Sequence, residues 1–287
     1  MKIVGNIEKA RQFTRRRIAE GKTVALVPTM GALHEGHFSL IKAARNQCDA
    51  VIVSIFVNPT QFGPSEDLAS YPSTPDADHL ACERLGVDMI FAPDVGTMYG
   101  QDCLTEVRVK ELSATMCGRD RPVHFAGVCT VVAKLFNIIP AHKAFFGAKD
   151  YQQAVIIRRM GADLNFPIEI VVCPTVREAD GLALSSRNAY LSPQQRKQAS
   201  ALYASLKMAD EMIRREHPPA GQVISAMQEH LAANAPDGRI DYMQILDPHT
   251  LRDVENTEQP VLVALAVKLG KARLIDNILV DESENRP

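Results

Sequence analysis

The sequence predicts an α/β fold: a parallel sheet covered on both faces by helices forms an N-terminal domain, and a smaller α+β C-terminal domain follows. Three apolar runs indicate strands buried on both faces, namely TVALVP (23–28), AVIVSIFV (50–57) and VDMIFAP (87–93). Strands that alternate with helical stretches are typical of a parallel sheet covered by helices. No G-x-G-x-x-G follows the first strand, so a dinucleotide site and hydride chemistry are not expected. The P-loop pattern for binding phosphates is absent as well.

Each further element has its own local signal. Asn6 is a plausible N-cap for a first helix, which Gly21 would end. The turn-rich segment TMGALHEGH (29–37) leads into a helix expected from about residue 39 to residue 47. KAFFG (143–147), a helix through Arg159 and IEIVVCP (168–174) predict one more strand–helix–strand unit.

The pattern changes after Asn188. Ser192-Pro193 predicts the start of a long helix, and a second helix is expected over about 222–233. Three strands follow, DYMQIL, VLVALAVKL and ARLIDNILV, the last two joined by a tight turn at Gly270-Lys271. We therefore predict domains over residues 1–175 and 176–287.

Composition and charge argue against nucleic-acid and membrane partners. The chain has 287 residues, 32 basic and 34 acidic, and a net charge of −2, which argues against a nucleic-acid partner. No segment approaches the roughly 20 apolar residues of a membrane helix, and the first residues lack a signal-length apolar run. Six scattered cysteines are typical of reduced thiols packed as small apolar groups. We expect a cytoplasmic protein without a membrane partner.

Three polar motifs follow predicted strands. They are TMGALHEGH (29–37), NPTQF (58–62) and GAKDYQQ (147–153). Ligands of parallel sheets bind beyond the carboxyl ends of the strands. The motifs are therefore expected to converge on one edge of the sheet.

The H-x-G-H sequence His34-Glu35-Gly36-His37 is the sharpest of these signals. Two imidazoles at a helix start can face an anion held by free backbone N–H groups, and Gly36 leaves room for a flat base. In isolation such a string is more often a pair of ordinary histidines. Its place behind a buried strand favours a nucleotide site.

The other motifs are less specific. Asn58 and Gln61 can bond a hydroxy acid, or form a plain polar turn. Lys149 can clamp phosphate, whereas Asp150 can cap a helix, bind ribose or assist a metal. In DGLALSSRN (180–188) two serines and an arginine suit a triphosphate, or simply cap a helix. The basic, glycine-containing stretch 118–128 can form a mobile flap.

Six motifs in order carry a resemblance to a known family: PTMGALHEGH, SIFVNPTQF, HFAGVCTVVAKLFN, FFGAKDYQQ, DGLALSSRN and ARLIDN. Together they resemble the pantothenate synthetase (pantoate–β-alanine ligase) family over nearly the whole chain, from about Ile3 to Val280. The resemblance implies a homodimer with a Rossmann-like, nucleotide- and pantoate-binding N-terminal domain and a smaller C-terminal lid domain. It implies that Mg²⁺-ATP activates (R)-pantoate as pantoyl-adenylate, and that β-alanine then displaces AMP.

The resemblance also assigns roles to residues. Catalysis is expected from His34, His37, Lys149 and Arg187, with His37 described in the family as a proton donor. Gln61 and Gln153 would hold pantoate, and Gln61 also β-alanine. Asn58 is a further expected substrate-binding residue. The ATP site would comprise Met30, Gly31, Ala32, Leu33, His34, Glu35, Gly36, His37, Gly147, Ala148, Lys149, Asp150, Val176, Leu184, Ser185, Ser186 and Arg187.

The chain departs from the family pattern at a few positions. Ala148 stands where the family usually has an acid, and Ser73 and Ala77 weaken a stretch tied to magnesium in relatives. We therefore assign no protein ligand to Mg²⁺, which phosphates and water would hold. Two rival functions remain: a nucleotidyl transferase acting on a phosphorylated acceptor, and a non-catalytic nucleotide sensor.

Overall fold

The computed structural model describes residues 1–64, 66–258 and 260–281. The chain forms two compact units, one of Met1–Ala148 with Gln152–Pro174, the other of Lys149–Tyr151 with the chain from Thr175 onward. The last six residues of the predicted 176–287 domain, and Gln259 within it, lie outside the described residues.

The first unit is built on a six-stranded parallel sheet with the strand order β1-β4-β3-β2-β5-β6. This confirms the predicted Rossmann-like parallel sheet. The strands are β1 Lys2–Val4, β2 Val24–Thr29, β3 Ala50–Ile55, β4 Met89–Phe91, β5 Lys143–Gly147 and β6 Glu169–Cys173. The sequence does not predict β1, because three residues at the sheet edge are too few for a periodic signal.

The α-helices that accompany this sheet are α1 Ile7–Ala19, α2 Glu35–Gln47, α3 Pro75–Arg84, α4 Val95–Tyr99, α5 Met116–Asp120, α6 His124–Ile138 and α7 Tyr151–Asp163. Asn6 caps α1 as predicted, its side chain accepting from the Lys9 N–H at 3.1 Å. The sequence does not predict α6, and this helix is buried on nearly all sides. Because most of its residues are apolar, its sequence resembles that of a buried strand as much as that of a helix.

The strands of the first unit explain its apolar runs. Leu26, Ile52 and Phe145 are fully buried, and burying such a side chain contributes about 2 kcal/mol. Five of the six cysteines belong to this packing as buried thiols, whereas Cys103 is exposed. Burial raises the pKa of the Cys82 thiol to about 12, which keeps it protonated and unreactive.

The second unit is the predicted smaller α+β domain. It contains α8 Pro193–Glu216, α9 Ala220–Asn234 and an antiparallel sheet of β7 Gly238–Leu246, β8 Val261–Leu269 and β9 Ala272–Val280. Ser192 and Gln195 cap α8 reciprocally, and the apolar residues Leu202, Leu206, Ala209 and Ile213 of this helix are buried. Across the described ranges, no helix combines the length and apolar character needed to cross a membrane.

Candidate active site

The predicted site residues fall in both units, and each group has its own geometry. The first unit carries Met30, Gly31, Ala32, Leu33, His34, Glu35, Gly36, His37, Asn58, Gln61, Gly147, Ala148 and Gln153. The second carries Lys149, Asp150, Val176, Leu184, Ser185, Ser186 and Arg187.

In the first unit, β3, β2 and β5 are adjacent and parallel. Their carboxyl ends therefore lie side by side, and the segments that begin at Met30, Asn58 and Ala148 leave the sheet at the same edge. The predicted convergence of three strand ends is observed for the residues that belong to this unit.

The segment between β2 and α2 turns sharply before the helix. Gly31 and Ala32 both have positive φ values, 84° and 49°. The helix starts at Glu35, four residues earlier than predicted, because His34 serves as its N-cap and histidine is not a usual capping residue. His34 and His37 thus lie at the start of the helix, whereas Glu35 is exposed.

The two histidines are oriented by the backbone. The Nδ1 atom of His34 accepts from the Gly36 N–H at 3.1 Å, and Nδ1 of His37 accepts from the His34 N–H at 3.3 Å. Since each Nδ1 is an acceptor, each neutral ring carries its proton on Nε2. The two ring centroids lie 4.2 Å apart, so the imidazoles of His34 and His37 form a close pair at the start of α2.

Gly36 makes this arrangement possible. A Cβ at position 36 would lie 2.9 Å from Cε1 and 3.0 Å from Nδ1 of His34. The sequence suggests that the glycine leaves room for a base, but its immediate neighbour is the capping imidazole. Any side chain here would push His34 out of its capping position.

Sequence analysis missed one residue that supports this segment, Asp78 of α3. Asp78 is 2% exposed, and its carboxylate accepts from the N–H groups of Ala32 at 2.9 Å and Leu33 at 2.8 Å. Thr74 Oγ1 donates to the same carboxylate at 3.0 Å. The only sequence signal around Asp78 is a likeness to a magnesium-associated stretch, yet both carboxylate oxygens are used by protein donors.

Asn58 and Gln61 form one buried network. The Asn58 Nδ2 donates to Gln61 Oε1 and to the Gly127 carbonyl oxygen, both at 3.1 Å. Its Oδ1 accepts from the Tyr99 hydroxyl at 2.6 Å. The Gln61 Nε2 lies 2.9 Å from the sulfur of Met30, so the segments after β2 and β3 meet at these two side chains.

The stretch 118–128, which the sequence suggests can form a mobile basic flap, packs against Gln61 in this structure. His124 Nδ1 lies 2.9 Å from the Gln61 carbonyl oxygen, and Arg121 donates to the same oxygen at 3.4 Å. Arg121 also pairs with both carboxylate oxygens of Glu66, at 2.7 and 2.5 Å. Burial raises the pKa of Glu66, but the hydrogen bonds and charge of Arg121 outweigh it and hold that pKa below its usual value.

The two neighbouring glutamines of α7 differ. Gln153 is half-buried, whereas Gln152 is buried and bonds the chain before and within α5. Its Oε1 accepts from the Cys117 N–H at 3.1 Å, and its Nε2 donates to the carbonyl oxygens of Leu112 and Thr115 at 2.9 and 2.8 Å. Gln152 therefore has a structural role that its sequence position does not reveal.

In the second unit, the DGLALSSRN segment forms a small hairpin. The Leu184 N–H donates to the Val176 carbonyl oxygen at 3.0 Å, and Gly181 takes the turn with a φ of 94°. The hairpin delivers the chain into a 3₁₀ helix, Ser186–Tyr190, whose cap is Ser185. Ser185 Oγ accepts from the Arg187 N–H at 3.3 Å, and Ser185, Ser186 and Arg187 are half-buried.

Lys149 and Asp150 also belong to the second unit. The Lys149 ammonium lies 3.7 Å from an Asp150 carboxylate oxygen, too long for a strong ion pair. Within the described ranges, no three His, Cys, Asp or Glu side chains group together as a metal site.

Comparison with known proteins gives a consistent result. The sequence profile of the pantoate-beta-alanine ligase family matches residues 2–279. Pantothenate synthetase from Desulfatibacillum aliphaticivorans is 53% identical over 262 residues, 91% of this chain and 93% of that protein. The homologous protein of Thermotoga neapolitana is 50% identical over 280 residues, 98% of this chain and all of its own length.

Solved structures agree with the sequence relatives. Pantothenate synthetase from Thermus thermophilus has a TM-score of 0.93 and 43% identity, covering 98% of this chain and 100% of that one. The Francisella tularensis pantoate-beta-alanine ligase, complexed with beta-gamma ATP and beta-alanine, has a TM-score of 0.79 and 34% identity over 97% of each chain. With a matching profile, close relatives and the same fold, this chain belongs to the pantoate–β-alanine ligase family.

Proposed function

We propose that this protein condenses (R)-pantoate with β-alanine in an ATP-dependent reaction that forms pantothenate and releases AMP and pyrophosphate. The observation that carries the proposal is the pair of imidazoles of His34 and His37, held by backbone N–H groups at the start of α2, in the same unit as a buried amide network formed by Asn58 and Gln61. Family membership supports the same reaction.

Two steps account for the products. A pantoate carboxylate oxygen attacks the α-phosphorus of ATP, and the bond to pyrophosphate breaks to leave pantoyl-adenylate. The β-alanine amine then attacks the acyl carbon, the bond to AMP breaks, and the amine nitrogen loses a proton. Charge on the transferring group grows in the first step, so fixed donors aimed at phosphate oxygens are the main catalytic requirement.

The residues of the first unit fit this requirement. His34 and His37 would donate to phosphate oxygens, with Met30 to His37, Gly147 and Ala148 lining the nucleotide. Gln61 and Gln153 would hold pantoate, and Gln61 also β-alanine. Asn58, expected as a substrate contact, already has protein partners on both ends of its amide, so we propose that it orients Gln61.

Further phosphate contacts are proposed, from the family resemblance alone, for residues that belong to the second unit. We propose that Lys149 and Arg187 contribute the cations and that Ser185 and Ser186 contribute hydroxyl donors. Asp150, Val176 and Leu184 complete the set expected from the family resemblance. Positive charge is spread over these groups rather than concentrated in a P-loop.

Mg²⁺ would arrive with the nucleotide. Mg²⁺ in ATP sites is held largely by phosphates and water. Because both oxygens of Asp78 accept from protein donors, we propose that Asp78 is not a principal ligand. We also propose a homodimer working in the cytoplasm; its six cysteines are thiols rather than disulfides, as expected of a reducing compartment.

The test is a single-turnover assay of pyrophosphate release from Mg²⁺-ATP, with or without pantoate and with β-alanine withheld. We expect pantoate-dependent release of about one equivalent per active site. His37→Ala should slow it about 100-fold, because one phosphate donor is lost. His249→Ala, at an exposed histidine, is the matched control. Release that ignores pantoate but follows a phosphorylated acceptor would indicate the rival nucleotidyl transferase.

A further inference from the structure

We infer that Asn277 is a positioning residue that holds Lys149, acting through the backbone of the lysine rather than touching a substrate. Asn277 lies in ARLIDN, a motif to which the reaction assigns no task. The inference rests on the proposed role of Lys149 in phosphate binding. It concerns the second unit alone, to which both residues belong.

The contact is direct and buried. Asn277 is 8% exposed, and its Nδ2 donates to the carbonyl oxygen of Lys149 at 2.9 Å. The two residues are 128 positions apart in the sequence. An amide that reaches this far to bond one particular carbonyl restrains the backbone torsions there, and therefore the direction in which the lysine side chain leaves the chain.

Asn277 is itself fixed by the residue before it. The Asn277 N–H donates to Asp276 Oδ1 at 2.8 Å, and Asp276 is 4% exposed. Arg177 forks onto the same carboxylate, at 2.6 Å to Oδ2 and 2.9 Å to Oδ1. The Arg177 guanidinium stacks on the Tyr203 ring, 3.8 Å from its centroid, so Arg177 also contacts α8.

The same chain of contacts reaches the second phosphate-binding segment. Arg177 donates to the carbonyl oxygen of Gly181 at 3.1 Å, in the turn of the hairpin that leads to Ser185. One small cavity of this unit is lined by Lys149, Ser185 and Asp276 together. The strand β9 thus sets Lys149 through Asn277 and the serine segment through Asp276 and Arg177.

Loss of the Asn277 amide should therefore impair the chemistry more than the binding of substrates. Small displacements of a catalytic group lower rates strongly while leaving affinity nearly unchanged. We expect Asn277→Ala to lower the single-turnover rate of pyrophosphate release about 10-fold, with KM for pantoate within about twofold of the original.

A double-mutant cycle tests this with Asn277→Ala, Lys149→Ala and the combined variant, assayed by pantoate-dependent pyrophosphate release. If Asn277 acts through Lys149, removing the amide in the Lys149→Ala background costs nothing further. Asn234→Ala is the matched control, because Asn234 also donates its amide to a backbone carbonyl in this unit but is exposed. Asn277→Asp, which keeps the shape and loses the donor, serves if the alanine variant does not fold.

The outcomes separate the inference from the proposed function. Losses that multiply in the double variant, or an unchanged rate for Asn277→Ala, overturn the inference while the role of Lys149 stands. An unchanged rate for Lys149→Ala removes the phosphate role of the lysine, and the inference falls with it. A loss in each single variant without a further loss in the double variant supports both.

Discussion

Each unit of the molecule uses a buried carboxylate to hold a candidate phosphate-binding segment, but the partners differ. In the first unit Asp78 accepts from the backbone N–H groups of Ala32 and Leu33, the two residues immediately before the His34 cap of α2. This carboxylate therefore acts directly on the histidine segment. In the second unit, Asp276 binds the guanidinium of Arg177, which reaches the serine segment through the hairpin turn.

The difference separates two kinds of support. Asp78 binds neutral donors beside a backbone with positive φ at Gly31 and Ala32, so its main effect is on the local shape of the chain. Asp276 neutralises a charge that is largely buried, so its main effect is on stability. We therefore expect substitutions of Asp78 to be seen chiefly in catalysis and substitutions of Asp276 chiefly in unfolding.

The largest stability effect is expected for Asp276→Asn. The substitution keeps the volume but leaves the Arg177 charge without a carboxylate, which should cost about 3 kcal/mol of unfolding free energy. Chemical denaturation followed by circular dichroism measures it. Asp210→Asn, which removes a partly exposed ion pair with Arg214 in the same unit, should cost less than about 1 kcal/mol. Equal losses in the two variants would contradict the importance of burial.

Asp78→Ala should cost less stability, about 2 kcal/mol, because it leaves two neutral backbone donors unsatisfied. Its effect on pyrophosphate release should be greater than that of Asp276→Asn, since the histidine segment loses its direct support. Asp76→Ala, at an exposed acid two residues away, is the control. If Asp78→Ala retained the full rate of release, the proposed link between this carboxylate and the histidines would be wrong.

Gly36→Ala tests the histidine geometry itself. The added methyl would meet the His34 ring at 2.9 Å and displace the cap, so we expect release to slow about 10-fold. Stability should change by less than about 1 kcal/mol, because alanine favours the helix more than glycine does. Gly161→Ala in α7, where no neighbouring heavy atom lies within 4 Å of the added carbon, should leave the rate unchanged.

The smallest effect concerns pH and the support of Gln61 by Arg121. Because the pKa of Glu66 is lowered in the folded state, the pair contributes stability above the unfolded pKa of about 4.3 and loses it as the pH falls through the folded pKa. At pH 7 the unfolding free energy of the wild-type protein should be about 1 kcal/mol higher than that of the Glu66→Gln variant. Denaturation measured at a series of pH values should show this difference in unfolding free energy disappearing below about pH 4. A difference that persists at about pH 2 would exclude ionisation of Glu66 as its source.

Local chemistry was enough to predict much of this protein. Apolar runs at 24–29 and 50–55 predicted buried parallel strands, because such residues are stable only where both faces are covered. The Asn6 and Ser192 caps, the Gly270 turn and the change to an antiparallel domain were also predictable from the sequence. These features depend on a few neighbouring residues, whose conformational preferences act over short distances.

Tertiary structure decided how the site residues are held. Asp78, Gln152 and Asn277 bond backbone groups that lie 35 or more positions away, and no periodicity in the sequence connects such partners. The histidine cap of α2 was hidden for a related reason, since the ring can accept there only because Gly36 lacks a Cβ. The sequence by itself predicted most of the strands, several of the helices and the residues of the candidate site. Which of these residues orient the others was decided only by folding, because folding brings distant polar groups together away from water.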